Sequence, residues 1–184
     1  MYHVPCNKRD PHRGFTLLEV LVYIGVLALT TVVVIVAVAG FGRVYRRVSA
    51  AQALARSGAI AMERNVREAR NAQSIDQTGS TFGAHPGKLT LLTEVSPGVT
   101  AISEFAVVGD GLQLSEDGSV TGTITQEGVV VENLVFRRIQ TAQSEAVRIE
   151  LTLSRTAGLT AQVGTSTLTA SFQGTAVLRG SYPL

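Results

Sequence analysis

Between Val20 and Gly42 the chain carries no charged side chain, only Val, Ile, Leu, Ala, Gly and Thr with Tyr23 and Phe41 among them. A helix rises ~1.5 Å per residue and the bilayer core is ~30 Å thick, so a helical run of ~20 apolar residues is long enough to cross. The run therefore predicts a membrane-spanning helix, and any folded domain must hang from its end. Glu19 stands at the start of it. An ionised carboxylate at membrane depth costs about 2.5 kcal/mol or more. Such a residue beside a clean span either lies solvated in the headgroup zone or has a partner or a function.

The residues around Glu19 bear on that choice. Arg13-Gly14-Phe15-Thr16-Leu17-Leu18-Glu19-Val20 follows a short basic leader and opens the apolar run. The arrangement closely resembles the processing signal of type IV prepilins and type II secretion pseudopilins. The resemblance implies that a membrane aspartic peptidase, the prepilin peptidase, cuts between Gly14 and Phe15 and that Phe15 becomes an N-methylated first residue. It also implies that Glu19, fifth in the mature chain, meets the free amine of a neighbouring subunit during assembly. An ion pair is stronger at low dielectric than in water, which gives the carboxylate a physical reason to be there.

Composition bounds the rest. Of 184 residues, those from 76 to 184 are left for a domain beyond the helix, enough for a small core. The net charge is +2 and the basic residues are spread out, so no nucleic-acid patch is visible. Lys8, Arg9 and Arg13 precede the span and Arg43, Arg46 and Arg47 follow it, so positive-inside counting ties and leaves orientation open. The family resemblance implies a cytoplasmic leader and an outside head. Cys6, the only cysteine, lies in the leader with no apolar segment before it, which argues against a lipoprotein anchor. His3 and His12 are also in the leader, leaving His85, so a histidine metal cluster is not expected in the processed chain.

Residues 1–14, with Pro5, Asn7 and Pro11, have no periodicity and read as a targeting tail. In a secretory signal peptide the cleavage site follows the apolar region; here the proposed cut precedes it, so the anchor is retained. Ala37-Val38-Ala39 does resemble a small-residue cleavage site, which keeps an ordinary signal peptide as an alternative. Past Gly42, Val44, Val48, Ala51, Ala55, Ala59, Met62, Val66 and Ala69 recur at steps of three and four and predict one apolar helical face. No proline or turn cluster separates the two patterns. One helix is therefore expected from about Phe15 to about Ile75, with 15–42 as the transmembrane part and 43–75 as its amphipathic continuation. Gly25, Gly40 and Gly42 are weak points, read as membrane tolerance or as sites of local melting on filament packing. Glu63 with Arg67 and Arg64 with Glu68 are spaced for helix-surface ion pairs and predict a solvated face. The stretch Met62 to Ala69 faintly resembles the helix end of J-type minor pseudopilins and W-type minor pilins. The helix-breaking proline of many major pilins is absent here, which favours a minor subunit.

Asp76-Gln77-Thr78-Gly79-Ser80 breaks the helix, and the period then switches to two. Strands are expected at Lys88–Thr93, Glu104–Val108, Leu112–Ser115, Val120–Ile124, Val129–Arg137, Ala146–Leu153, Gln162–Phe172 and Thr175–Leu178, with Thr156–Ser166 as a loop. Val108 to Leu112 and Glu116 to Ser119 read as tight turns in which glycine supplies positive φ. Val147, Ile149, Leu151 and Leu153 alternate with Arg148, Glu150 and Thr152, predicting one buried and one wet face. The expected fold is α+β: a long amino-terminal helix whose second half packs on an antiparallel sheet, with 76–184 as a β-rich extracytoplasmic head. The pilin family shares this arrangement.

No nucleophile elbow, phosphate loop, dinucleotide fingerprint or histidine metal motif is present, so no enzyme activity and no cofactor are expected. Asp110, Glu116 and Asp117 could gather oxygens around calcium, but acidic hairpin turns are the commoner meaning of such residues. The sequence reads as a membrane-inserted structural subunit, minor rather than major, of a type IV pilus-like or type II secretion filament. Gly14 and Phe15 would serve processing and Glu19 assembly; prepilin peptidase, other pilin or pseudopilin subunits and the membrane would be the partners. The rival readings are a single-span binding or sensor protein that keeps its leader, and an exported β domain cut near Ala39.

Overall fold

The structure is a computed structural model that describes residues 16–141, 144–157 and 166–181. One helix, α1, runs Leu17–Asn71, through all three glycines of its first half. It ends four residues short of the expected Ile75, because Ser74–Ile75 forms a short strand, β1, that pairs with Leu91 and Leu92. Gln73 N–H already donates to Leu92 O, so the sheet captures the chain as soon as the helix stops. The chain divides into two compact units, one ending at Val44 and one starting at Tyr45.

In the first unit the helix is apolar on every side. Leu21, Ile24, Leu27, Val33 and Ile35 point in different directions and are all exposed. A helix hydrophobic all round has no polar face to offer water, which is the pattern of a bilayer span. Thr30 and Thr31 do not break it, since both hydroxyls donate to Leu27 O within the helix, at 2.9 and 2.7 Å. The chain thus has one helix near its amino terminus long and apolar enough to cross a membrane.

In the second unit the rest of α1 packs on two antiparallel sheets, an α+β arrangement. The first is a five-stranded meander of β1, β2 (Leu89–Ser96), β3 (Val99–Val108), β4 (Gly111–Glu116) and β5 (Ser119–Thr123). The second is a three-stranded meander of β6 (Val130–Gln140), β7 (Glu145–Ala157) and β8 (Ser166–Val177). The single sheet expected from sequence is therefore two. β6 does not continue the first ladder; its edge is met by a loop, with Gly83 N–H on Phe136 O and Gly87 N–H on Leu134 O, both at 2.9 Å.

Strand positions follow the period-two pattern, and the departures have local causes. β3 starts five residues earlier than expected because Ser96 pairs with Val99 across a tight turn with Gly98 at φ 80°. β8 is one strand where two were expected, since Gly174 is not a turn. A Cβ there would lie 2.6 Å from Met62 Cε, so this glycine lets the helix approach the sheet. The expected loop at 156–166 is mostly outside the described residues, as are 162–165 of the expected seventh strand; β7 itself continues to Ala157. The alternation in β7 is as expected, with Val147, Ile149, Leu151 and Leu153 buried.

The helix face turned to the sheets agrees only in part with the expected one. Met62, Val66 and Ala69 do pack on the core, but Ala50, Leu54, Ser57, Gly58, Ala61 and Asn65 are buried where Val44, Val48, Ala51, Ala55 and Ala59 were expected, and those five are exposed. The real face is rotated toward small residues, polar ones included, because close approach to the sheet outweighs hydrophobicity in choosing it. At Gly58 a Cβ would fall 2.1 Å from Phe172 Cζ. Ser57 keeps its place there by accepting Gln126 N–H at 3.2 Å, and Asn65 by donating to Ala61 O at 2.8 Å.

Candidate functional site

The sequence signals converge on the amino-terminal end of α1. Gly14 and Phe15, the expected processing residues, lie outside the described residues. From Thr16 onward the geometry is that of a helix cap. Thr16 Oγ1 accepts Glu19 N–H at 3.3 Å and Thr16 O accepts Val20 N–H at 3.2 Å. Thr16-Leu17-Leu18-Glu19 is thus a Ser/Thr-x-x-Glu start signal, in which the hydroxyl satisfies one of the orphan donors of the first turn. Sequence reasoning read Glu19 as a carboxylate at a membrane span and as the assembly residue and did not name this cap, although the three-residue spacing announces it.

Glu19 sits in the first turn, half-buried, where the helix dipole favours a negative charge. Tyr23, one turn on, donates its hydroxyl to Glu19 Oε1 at 3.3 Å. Among the described residues no cation pairs with this carboxylate. The phenol takes up one lone pair of a carboxylate at the mouth of an apolar span, and the remaining lone pairs can accept a cation from another molecule.

The acidic turns of the head are occupied differently. Asp110 closes the β3–β4 hairpin beside Gly109, at φ 60°, and its carbonyl accepts Val131 N–H at 2.8 Å. Asp117 and Gly118, at φ 49° and 78°, form the primed two-residue turn between β4 and β5. Asp117 Oδ1 accepts Ile102 N–H at 2.8 Å, which ties that turn to β3. Asp110 sits at one end of β4 and Glu116 with Asp117 at the other, about 20 Å apart at ~3.4 Å per residue. They do not converge on a common point.

Two polar groups that sequence reasoning passed over or took for solvated, and one in the turn it did place, hold the head together. Arg64 was expected on a solvated helix face, yet its Nη2 reaches Glu116 on β4 at 3.0 Å while its Nε lies 3.2 Å from Glu68, an ion pair without hydrogen-bond geometry. It joins helix to sheet. His85 Nδ1 accepts Leu134 N–H at 3.0 Å and so fills the edge of β6. Asp76 organises the turn after the helix. Its Oδ1 accepts both the hydroxyl and the N–H of Thr78, at 2.7 and 2.9 Å. These bonds, the Thr78 hydroxyl first and then the Gly79 and Thr78 amides, hold its carboxyl below the ordinary carboxylate value.

No family model, no curated protein and no solved structure matches this chain. The functional reading therefore stands on the residues themselves.

Proposed function

We propose that this chain is a membrane-anchored structural subunit, a minor one, of a type IV pilus-like or type II secretion filament. The observation that carries the reading is the run from Arg13 to Val20 at the junction of leader and span. A prepilin peptidase cuts after Gly14 in the inner membrane, Phe15 is methylated, and residues 15–42 remain as the anchor of an extracytoplasmic head. Glu19 then receives the amino group of a neighbouring subunit in the apolar bundle of the filament. Support comes from an apolar helix that starts at Leu17, from a carboxylate in its first turn that no cation pairs with among the described residues, and from an α+β head attached to its far end. Capping by Thr16 survives the cut, so the mature chain keeps its helix start.

The test is expression beside an active prepilin peptidase and the other filament subunits, read by gel mobility and by the amount of chain in sheared filaments. Gly14→Ala reduces processing and Gly14→Trp abolishes it. Glu19→Ala is still cut but enters filaments at least tenfold less often. Normal incorporation of Glu19→Ala contradicts the assembly role, and unchanged mobility of the wild-type chain contradicts the processing role.

A further inference from the structure

A sheet edge is a row of unpaired N–H and C=O groups, and proteins blunt such edges with short strands, bulges, charges, proline or a covering loop. Three of the four edges in the head are blunted. β1 is two residues long. β5 has five residues, with Gly122 at φ 156° and a register shift opposite Leu114 and Ser115. β6 is covered by the Gly83–Gly87 loop and by His85. β8 is the exception. It is twelve residues long, pairs with β7 without a register shift, and contains no Lys, Arg, Asp, Glu or Pro. Among the described residues no backbone group bonds to its outer side.

What flanks that edge defines what fits it. Met62 and Val66 meet β8 at Gly174, 2.6 and 3.6 Å from the position of a Cβ. Ala51, Ala55 and Ala59 extend this flank of the helix in one direction, exposed, and Arg70 extends it in the other, at steps of three and four. The opposite flank, with Arg64, faces β4 through Glu116. The alanine flank therefore borders the open side of β8. Beyond Val177 stands Arg179, which shares a pocket of about 290 Å³ with Arg67 and Arg70. Glu63 neutralises Arg67, while Arg70 and Arg179 have no ion-pair partner among the described residues.

We propose that β8 is a docking edge for an extended segment of a partner protein, which adds to the second sheet as a fourth, antiparallel strand. Its side chains alternate, apolar ones facing Ala55, Ala59 and Phe172 and hydroxylated ones facing out beside Thr169 and Ser171. Acidic residues at its amino-terminal end lie in the Arg70–Arg179 pocket, because an antiparallel strand enters beside Val177. The inference uses only residues beyond Tyr45 and holds whether or not the chain polymerises.

The probe is an acetylated nine-residue peptide, two aspartates followed by alternating threonine and valine or alanine, labelled for fluorescence anisotropy and titrated into the full-length protein in detergent micelles. Binding is expected, weakened at least tenfold by Thr169→Lys with Thr175→Lys, which charges the edge, and at least tenfold by Arg70→Glu with Arg179→Glu. The peptide with reversed order binds at least tenfold more weakly. In the wild-type protein, hydrogen exchange of the β8 amides slows at least tenfold on binding, a readout that needs no variant. No binding at millimolar peptide, unchanged β8 exchange, or binding that survives the edge lysines overturns strand addition. Binding indifferent to the charge reversals or to peptide order overturns the acidic, antiparallel occupant.

Discussion

Glu19 acts separately through its backbone and its side chain. Its N–H donates to Thr16 Oγ1 and closes the helix cap, while its carboxylate, held by the Tyr23 hydroxyl, stands at the edge of an apolar span. Thr16→Ala removes the cap and costs about 1 kcal/mol of helix stability. It should leave filament incorporation near normal. Glu19→Gln keeps a group that can accept from Tyr23 but removes the charge, so incorporation should fall as far as with Glu19→Ala. Equal incorporation of Glu19→Gln and wild type would contradict an assembly role for the charge. In the head, His85→Ala leaves Leu134 N–H without its acceptor and should destabilise the domain by about 1 kcal/mol, read by chemical denaturation. Asp76 sets a pH dependence. Its folded-state value is lowered, so its contribution is present above the ordinary carboxylate range and is lost as pH falls through the lowered value. Asp76→Asn should flatten the loss of stability below about pH 4. Residues acting over short spans were legible in the sequence: the hairpin glycines, the Glu63–Arg67 pair and, had its spacing been used, the Thr16–Glu19 cap. Arg64 with Glu116 and His85 with Leu134 are separated by 52 and 49 positions, and no local pattern encodes such contacts.

The helix shows why element type was easier to read than element orientation. Length, lack of proline and periodicity gave α1 to within four residues at its end. Its buried face was right at Met62, Val66 and Ala69 but rotated away before them, because a stripe of valine and alanine outscored one holding Ser57, Gly58 and Asn65. Packing distance decides here. Gly58→Ala should lower stability by about 1–2 kcal/mol, since the new methyl meets the Phe172 ring and overpacks the contact. In a Phe172→Ala background the same change should instead stabilise, by up to about 1 kcal/mol from helix propensity. A double-mutant cycle by thermal or urea unfolding measures both, and additive effects would show that helix and β8 are not in contact there. The same logic explains Gly174, which the sequence presents as a break and the fold uses for close approach to Met62.

Taken whole, the chain joins a helix segment that is apolar on every side to a head built from two antiparallel sheets. Fold class and most strand positions were legible because strands such as β7 alternate and the β2–β3, β3–β4 and β4–β5 hairpins each have a glycine. The division into two sheets was not, since it depends on a loop reaching the edge of β6. Filament membership rests on one event that precedes all assembly, the cut between Gly14 and Phe15. Mass spectrometry of the amino-terminal peptide, from cells with an active prepilin peptidase, tests it directly. The account predicts a chain that begins with N-methylated Phe15; a chain that keeps Met1, or one that begins near Gly40, would contradict it.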